Sequence, residues 1–214
     1  MGASADRSVS KYNVVEASFV AAGPTIEALP APALPEIAFA GRSNVGKSSL
    51  LNMLLSRIKL VRTSSSPGCT RTLNLFHVKL SSGLEMQVTD LPGYGYAKLS
   101  RSESKSFQAM VEGYLTRRPS LVALVILVDI RRGVEEEERQ LLSYMDAPGV
   151  DRARKPAVIF VATKLDKLSR SEQKPALGRL EKAAGMKGVL GVSAETGAGR
   201  DELWQKLERA LVLV

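Results

Sequence analysis

Cysteine is nearly absent. Cys69 is the single one in 214 residues, so no disulfide can close within the chain. That usage fits a reducing cytoplasm. Histidine is as scarce, and with His77 alone a Cys/His zinc site is excluded. Long apolar runs are missing too: nothing approaches the roughly 18 residues of a membrane span. The opening "MGASADRSVSKYNVVEASFV" lacks the continuous apolar core of a signal peptide. "MGASAD" also lacks the Ser or Thr that a myristoylation signal needs at its sixth position. No internal repeat stands out. These absences lead us to expect a soluble, cytoplasmic protein. Acidic residues are in the minority, 22 against 30 Lys and Arg, and the formal charge of +8 should attract polyanions in a salt-sensitive way.

The length fits one domain with an extension, and a composition of 44% hydrophobic and 24% charged residues is that of a folded globular chain. Residues 1–34 are rich in Ala, Ser and Pro and end in "ALPAPALP", where proline holds the chain extended. They read as a partly flexible N-terminal extension in which "NVVEASFVAA" is a candidate edge strand. Residues 35–214 read as the main domain. "EIAFA" is a strand leading into a glycine loop, followed by a helix from about Lys47 to Ser56. "LNLFHVKL" and "LEMQVTD" flank "SSG" and predict an antiparallel hairpin. "LVALVILVD", "AVIFVAT" and "VLGVS" are apolar throughout, as strands covered on both faces are. Helices are predicted at about Ser102–Thr116, Val134–Met145, Ala176–Ala184 and Arg200–Leu211. The alternation predicts an α/β three-layer sandwich: a mixed, mostly parallel sheet of about six strands, one antiparallel, with helices on both faces.

"GRSNVGKSS", Gly41 to Ser49, satisfies GxxxxGK[ST] between a strand and a helix, the context that this pattern requires. Gly41, Arg42, Ser43, Asn44, Val45 and Gly46 can curl their N–H groups around phosphates. Lys47 neutralises the terminal ones, and the Ser48 hydroxyl can ligate magnesium. In "DLPG", Asp90, Leu91, Pro92 and Gly93, the aspartate can hold magnesium through water and the Gly93 N–H can sense the last phosphate. Alone, that quartet reads as a strand-ending turn. In "TKLD", Thr163, Lys164, Leu165 and Asp166, the last carboxylate can accept from guanine's ring N–H and exocyclic amine, a donor pair that adenine lacks. Lys164 would lie along the base plane. Val192, Ser193 and Ala194 follow the last apolar strand and can put the Ala194 N–H near guanine O6. All four elements fall at strand ends, in the succession that a GTP site uses.

The stretches "LPEIAFAGRSNVGKSSLLN", "TSSSPGCTRTLNLF", "DLPGYGYAK", "VDIRRG" and "TKLD" together resemble the EngB family of ribosome-assembly GTPases, within the translation-factor-like class. The likeness runs from about Leu34 to the C-terminus. It implies that Thr70 is the switch threonine that ligates magnesium alongside Ser48 and Asp90, with Thr72 an alternative, inside a nucleotide-responsive segment that includes Gly68, Cys69 and Arg71. Thr63 to Pro67 would be a mobile part of that switch. Tyr94 stands where Ras-like enzymes carry a water-orienting glutamine directly after DxxG, so unaided hydrolysis should be slow. By analogy Asn44 would coordinate a potassium ion beside the phosphates; its alternative role is to brace the loop. The catalytic assignment is therefore Lys47, Thr70, Gly93 and Asn44. Tyr94 and Tyr96 can stack on RNA or face the core, and Arg101, Lys105, Arg117, Arg118, Arg131 and Arg132 offer positive charge to ribosomal RNA. "EEEERQ", Glu135 to Gln140, reads as a solvated helix start. The resemblance implies GTP and GDP as ligands and the large ribosomal subunit with its RNA as partner, with consequences for growth and division. No DNA, no stable membrane association and a monomeric chain are expected. The rivals are a regulatory GTPase acting on a division protein and a self-sufficient metabolic NTPase, for which no acceptor site or base is legible.

Overall fold

The computed structural model describes residues 11–56, 72–95, 101–146 and 155–212, with the side chain of Arg101 excepted. Among the described residues seven strands form one sheet in the order β1-β3-β4-β2-β5-β6-β7: β1 Val14–Gly23, β2 Glu36–Gly41, β3 Leu73–Leu80, β4 Glu85–Asp90, β5 Leu121–Asp129, β6 Ala157–Thr163 and β7 Leu190–Gly191. The hairpin at "SSG" is β3 against β4, and β3 is the one strand that runs against the rest. The strand count exceeds the expected six because the "NVVEASFVAA" segment of the N-terminal extension pairs with β3 as an edge strand.

Alternation along the central strands feeds two cores. Ile37 and Phe39 of β2 and Ala123, Val125 and Leu127 of β5 face one side, under α1 (Lys47–Leu54) and α5 (Arg200–Val212). Ala38, Ala40, Leu124, Ile126 and Val128 face the other, under α2 (Arg101–Arg117), α3 (Glu136–Asp146) and α4 (Arg170–Ala184). Side chains at successive positions point to opposite faces, so a strand apolar at every position requires helices on both. The three layers are those of the predicted sandwich.

Two boundaries differ from the sequence reading. Helix α4 begins at Arg170, ahead of Pro175, because Ser169 and Glu172 form a capping box: the Ser169 N–H and hydroxyl both donate to the Glu172 carboxylate, at 2.9 and 2.6 Å. The exposed proline forfeits one hydrogen bond within a helix already started. At the far edge only Leu190–Gly191 of "VLGVS" pairs with β6.

Two residues of the expected basic patch, Arg118 and Arg117, turn inward or find partners. Arg118 is 3% exposed and clasps the fully buried Glu36 through Nε at 2.8 Å and Nη2 at 2.6 Å, so it is no RNA contact. Tyr114 and Ser120 also donate to Glu36, each at 2.8 Å. Arg117 pairs with Glu27 of the extension at 2.9 Å. Lys105 and Arg132 are exposed as expected.

Candidate nucleotide site

The parallel strands β2, β4, β5, β6 and β7 all end at one edge of the sheet, so the loops that follow them meet there; open α/β sheets bind ligands at such edges. Gly41 to Ser48 leaves β2 and enters α1. A side chain at Gly41 would strike Val45 Cγ1 at 2.8 Å, and Gly46 sits at φ +103°, a left-handed conformation that favours glycine. Asn44 adopts φ 63° without being glycine. Strain of that kind persists only where neighbours impose it.

Two side chains from the end of β6 impose it. Lys164 donates from Nζ to the Asn44 carbonyl at 2.7 Å, and the Thr163 hydroxyl donates to the Val45 carbonyl at 2.6 Å. The threonine of "TKLD" thus ties the base segment to the phosphate loop. Lys47 forms an ion pair with Asp90, the last residue of β4, and both side chains are largely buried. Leu91 hydrogen-bonds back to Phe39 at 3.0 Å, which sets Pro92 and Gly93 beside the loop; a side chain at Gly93 would lie 3.2 Å from the Ser43 hydroxyl. That hydroxyl is buried with no protein partner.

Asp166 sits in a short turn after β6. Ser193, fully buried, donates to its Oδ1 at 2.6 Å, and Lys167 lies 3.0 Å from Oδ2. The Ser193 hydrogen bond, then the Lys167 one, holds the carboxyl below its usual range. Leu165 donates its N–H to the Val192 carbonyl at 3.0 Å, so "TKLD" and "SAETG" are joined, with Ala194 next in the chain.

The structure brings together Gly41 to Ser49, Asp90 to Gly93, Thr163 to Asp166 and Val192 to Ala194 at this edge. Thr72 precedes β3, with its hydroxyl 3.4 Å from Asn74 Oδ1. Gly68, Cys69, Thr70 and Arg71 lie outside the described residues, as do Thr63 to Pro67 and Tyr96. Tyr94 faces the core: its hydroxyl donates to Glu138 at 2.8 Å, its carbonyl accepts from the Ser43 N–H at 2.9 Å, and burial raises its pKa. Glu138 is correspondingly buried and also accepts the Glu135 N–H at 2.7 Å, so the acidic run is not wholly a solvated face. Arg42 pairs with Glu135 and lies 3.6 Å from Glu137.

Sequence reasoning missed Asp129, at the end of β5. It lies 3.0 Å from Lys164 Nζ and accepts from Arg131 Nε and Nη2 at 2.9 and 2.7 Å. The Arg131 hydrogen bonds, supported by Lys164 and opposed by burial, keep its carboxyl well below the usual range. A lone aspartate at a strand end carries no pattern; "VDIRRG" was the available signal.

The loop fits magnesium and phosphate on its own chemistry: Ser48 and Asp90 offer hard oxygen donors next to a glycine-built cradle. A three-layer α/β sandwich with this loop between a strand and a helix, and "TKLD" at the end of a second parallel strand, defines a P-loop GTPase fold. Residues 36–164 match the family model described as "50S ribosome-binding GTPase". The chain is 48% identical over 180 residues to the probable GTP-binding protein EngB of Desulfatibacillum aliphaticivorans, covering 83% of each. It is 44% identical over 203 residues to that of Geobacter metallireducens, covering 91% of this chain and 92% of the relative. A crystal structure of a probable GTP-binding protein engB shares the fold, with a TM-score of 0.61 and 22% identity over 84% of this chain and 100% of that one. Era in complex with MgGDPNP and nucleotides 1506–1542 of 16S ribosomal RNA is similar at a TM-score of 0.63 and 26% identity, over 83% of this chain and 56% of that one. The chain belongs to the EngB family of GTP-binding proteins.

Proposed function

We propose that this chain is a slow GTPase switch that engages the maturing large ribosomal subunit in its GTP state and leaves after hydrolysis. The observation that carries the reading is the meeting of Lys47, Asp90 and Asp166 at one sheet edge, joined through the Thr163 and Lys164 bonds to the phosphate loop. The ribosomal part is supported by the description of the matching family and by the rRNA complex of Era, a structural neighbour.

In this reading the backbone N–H groups from Gly41 to Ser48 receive the phosphates, and Lys47 exchanges its Asp90 partner for the terminal ones. Ser48, Thr70 and Asp90 would hold magnesium, which would supply positive charge against the phosphates. Asp166 accepts the guanine donors, Lys164 covers the base plane and the Ala194 N–H meets O6. Gly93 and Thr70 respond to the last phosphate, and their release after hydrolysis ends subunit binding. Tyr94 has no amide to orient water and its hydroxyl is committed to Glu138, so unaided turnover should be at or below roughly 10⁻⁴ s⁻¹, the unassisted Ras scale. Asn44, its backbone pinned by Lys164, would hold a potassium ion beside the phosphates. The charge stabilisation to be replaced is worth about 10³ to 10⁵ in rate when an arginine supplies it.

Turnover of GTP by the purified chain in KCl and in NaCl tests this reading. We expect slow hydrolysis, faster in potassium, with Asn44→Ala erasing the difference. Equal rates in both salts would overturn the potassium role, and turnover no higher than that of Lys47→Ala would overturn the GTPase reading.

A further inference from the structure

Asp129 is an acidic group beside a site that must accept a polyphosphate, and its side chain is only 6% exposed. Burying a carboxylate is costly unless cations and hydrogen bonds compensate. Here they do. Arg131 straddles it in a bidentate clasp and its own N–H adds a bond at 3.1 Å, while Lys164 shares Oδ2 with the guanidinium.

We infer that Asp129 is a positioning residue for the guanine nucleotide, acting through Lys164. The inference rests on the nucleotide reading of the site. A lysine ammonium has three donors on a stem of high rotamer entropy. Two acceptors on different loops, Asp129 Oδ2 at 3.0 Å and the Asn44 carbonyl at 2.7 Å, fix that stem across the space between the phosphate loop and Asp166. Without Asp129 the ammonium keeps one partner, and solvent competes for it. The base platform then has to be ordered at the moment of binding, which weakens affinity. The bond that restrains the left-handed Asn44 then rests on a donor that Asp129 no longer anchors. Arg131, 49% exposed, offsets the negative charge that this anchor brings to an anion site.

The test is the release rate of fluorescent GDP and GDPNP analogues from the full chain carrying Asp129→Asn, Lys164→Ala or both. Asn has the shape of Asp without its charge. Loss of a charge-assisted bond should accelerate release about 10- to 100-fold from either single variant. The double variant should release no faster than Lys164→Ala; because Asp129→Asn also loses a stabilising ion pair, some fall in melting temperature is expected, and the dependence on Lys164 is the deciding readout. Wild-type release from Asp129→Asn with fast release from Lys164→Ala overturns the role of Asp129. Multiplying effects in the double variant overturn the route through Lys164. Wild-type release from both single variants overturns the nucleotide reading of this pocket as well. A lowered melting temperature with unchanged release makes Asp129 merely structural and overturns the inference.

Discussion

Ser193 and Lys167 favour the ionised state of Asp166, the state that its proposed role as guanine acceptor requires. Both favour the ionised carboxylate, so its pKa in the fold is below the unfolded value. A carboxylate shifted this way contributes stability above the ordinary carboxylate range and loses it only as pH falls through the lowered value. Asp166 therefore stays a double acceptor through the neutral range. The chain should prefer GDP over IDP, which lacks the exocyclic amine, by about 10- to 100-fold, the worth of one bond to a charged group. Because the phosphates of the two ligands ionise alike, the ratio should hold constant from pH 8 to pH 5. In Asp166→Ala the preference should collapse towards unity; titration calorimetry with the two nucleotides reads both effects, and a preference surviving in the variant would remove Asp166 from the base site. At this scale the sequence was informative wherever residue type and spacing carry chemistry, as in Lys47, Asp90 and Asp166. It was silent on Asp129 and on the Thr163 bond to the Val45 carbonyl, because those roles depend on the parallel register that sets Asp129 beside Thr163.

Among the elements, α2 is held to the sheet by a buried polar cluster. Arg118 and Tyr114 at its C-terminal end reach Glu36 at the start of β2, and the Tyr114 hydroxyl, which donates to Glu36, also lies 2.8 Å from the Thr89 hydroxyl, one residue before Asp90. Arg118 Nη1 further binds the Pro30 carbonyl at 3.0 Å and so fastens the extension. Removing one partner of such a pair strands a buried charge, at a cost of about 3–5 kcal/mol. Arg118→Ala should lower the melting temperature by roughly 6–20 °C for a chain of this size. Arg117→Ala, at an exposed pair with Glu27, should change it little. Calorimetry of the two variants checks this, and equal small shifts would contradict the buried network. Adjacent arginines before a proline look like surface charge in the sequence, since the partner of Arg118, Glu36, lies 82 residues away and meets it only after the strands assemble. Local signals served better for the hairpin and for the candidate edge strand, whereas the Ser169 capping box outweighed the proline that suggested a later start for α4.

At the scale of the molecule, apolar periodicity made the three-layer sandwich legible, because strands apolar at every position demand two helical layers. Of the basic patch expected around α2 and after β5, Arg118 is buried, Arg117 and Arg131 are paired, and Lys105 and Arg132 remain exposed. Under the proposed function, attraction to ribosomal RNA would draw on Lys105, Arg132 and other exposed basic groups, and it should be gated by nucleotide rather than by charge alone. The most direct test of the switch account is co-sedimentation of the purified chain with separated ribosomal subunits, loaded with GDP or GDPNP, across a salt series. The account predicts pelleting with the large subunit in the GDPNP state, weaker in GDP and falling with salt. Equal pelleting in both nucleotide states, or none with the large subunit, would contradict it.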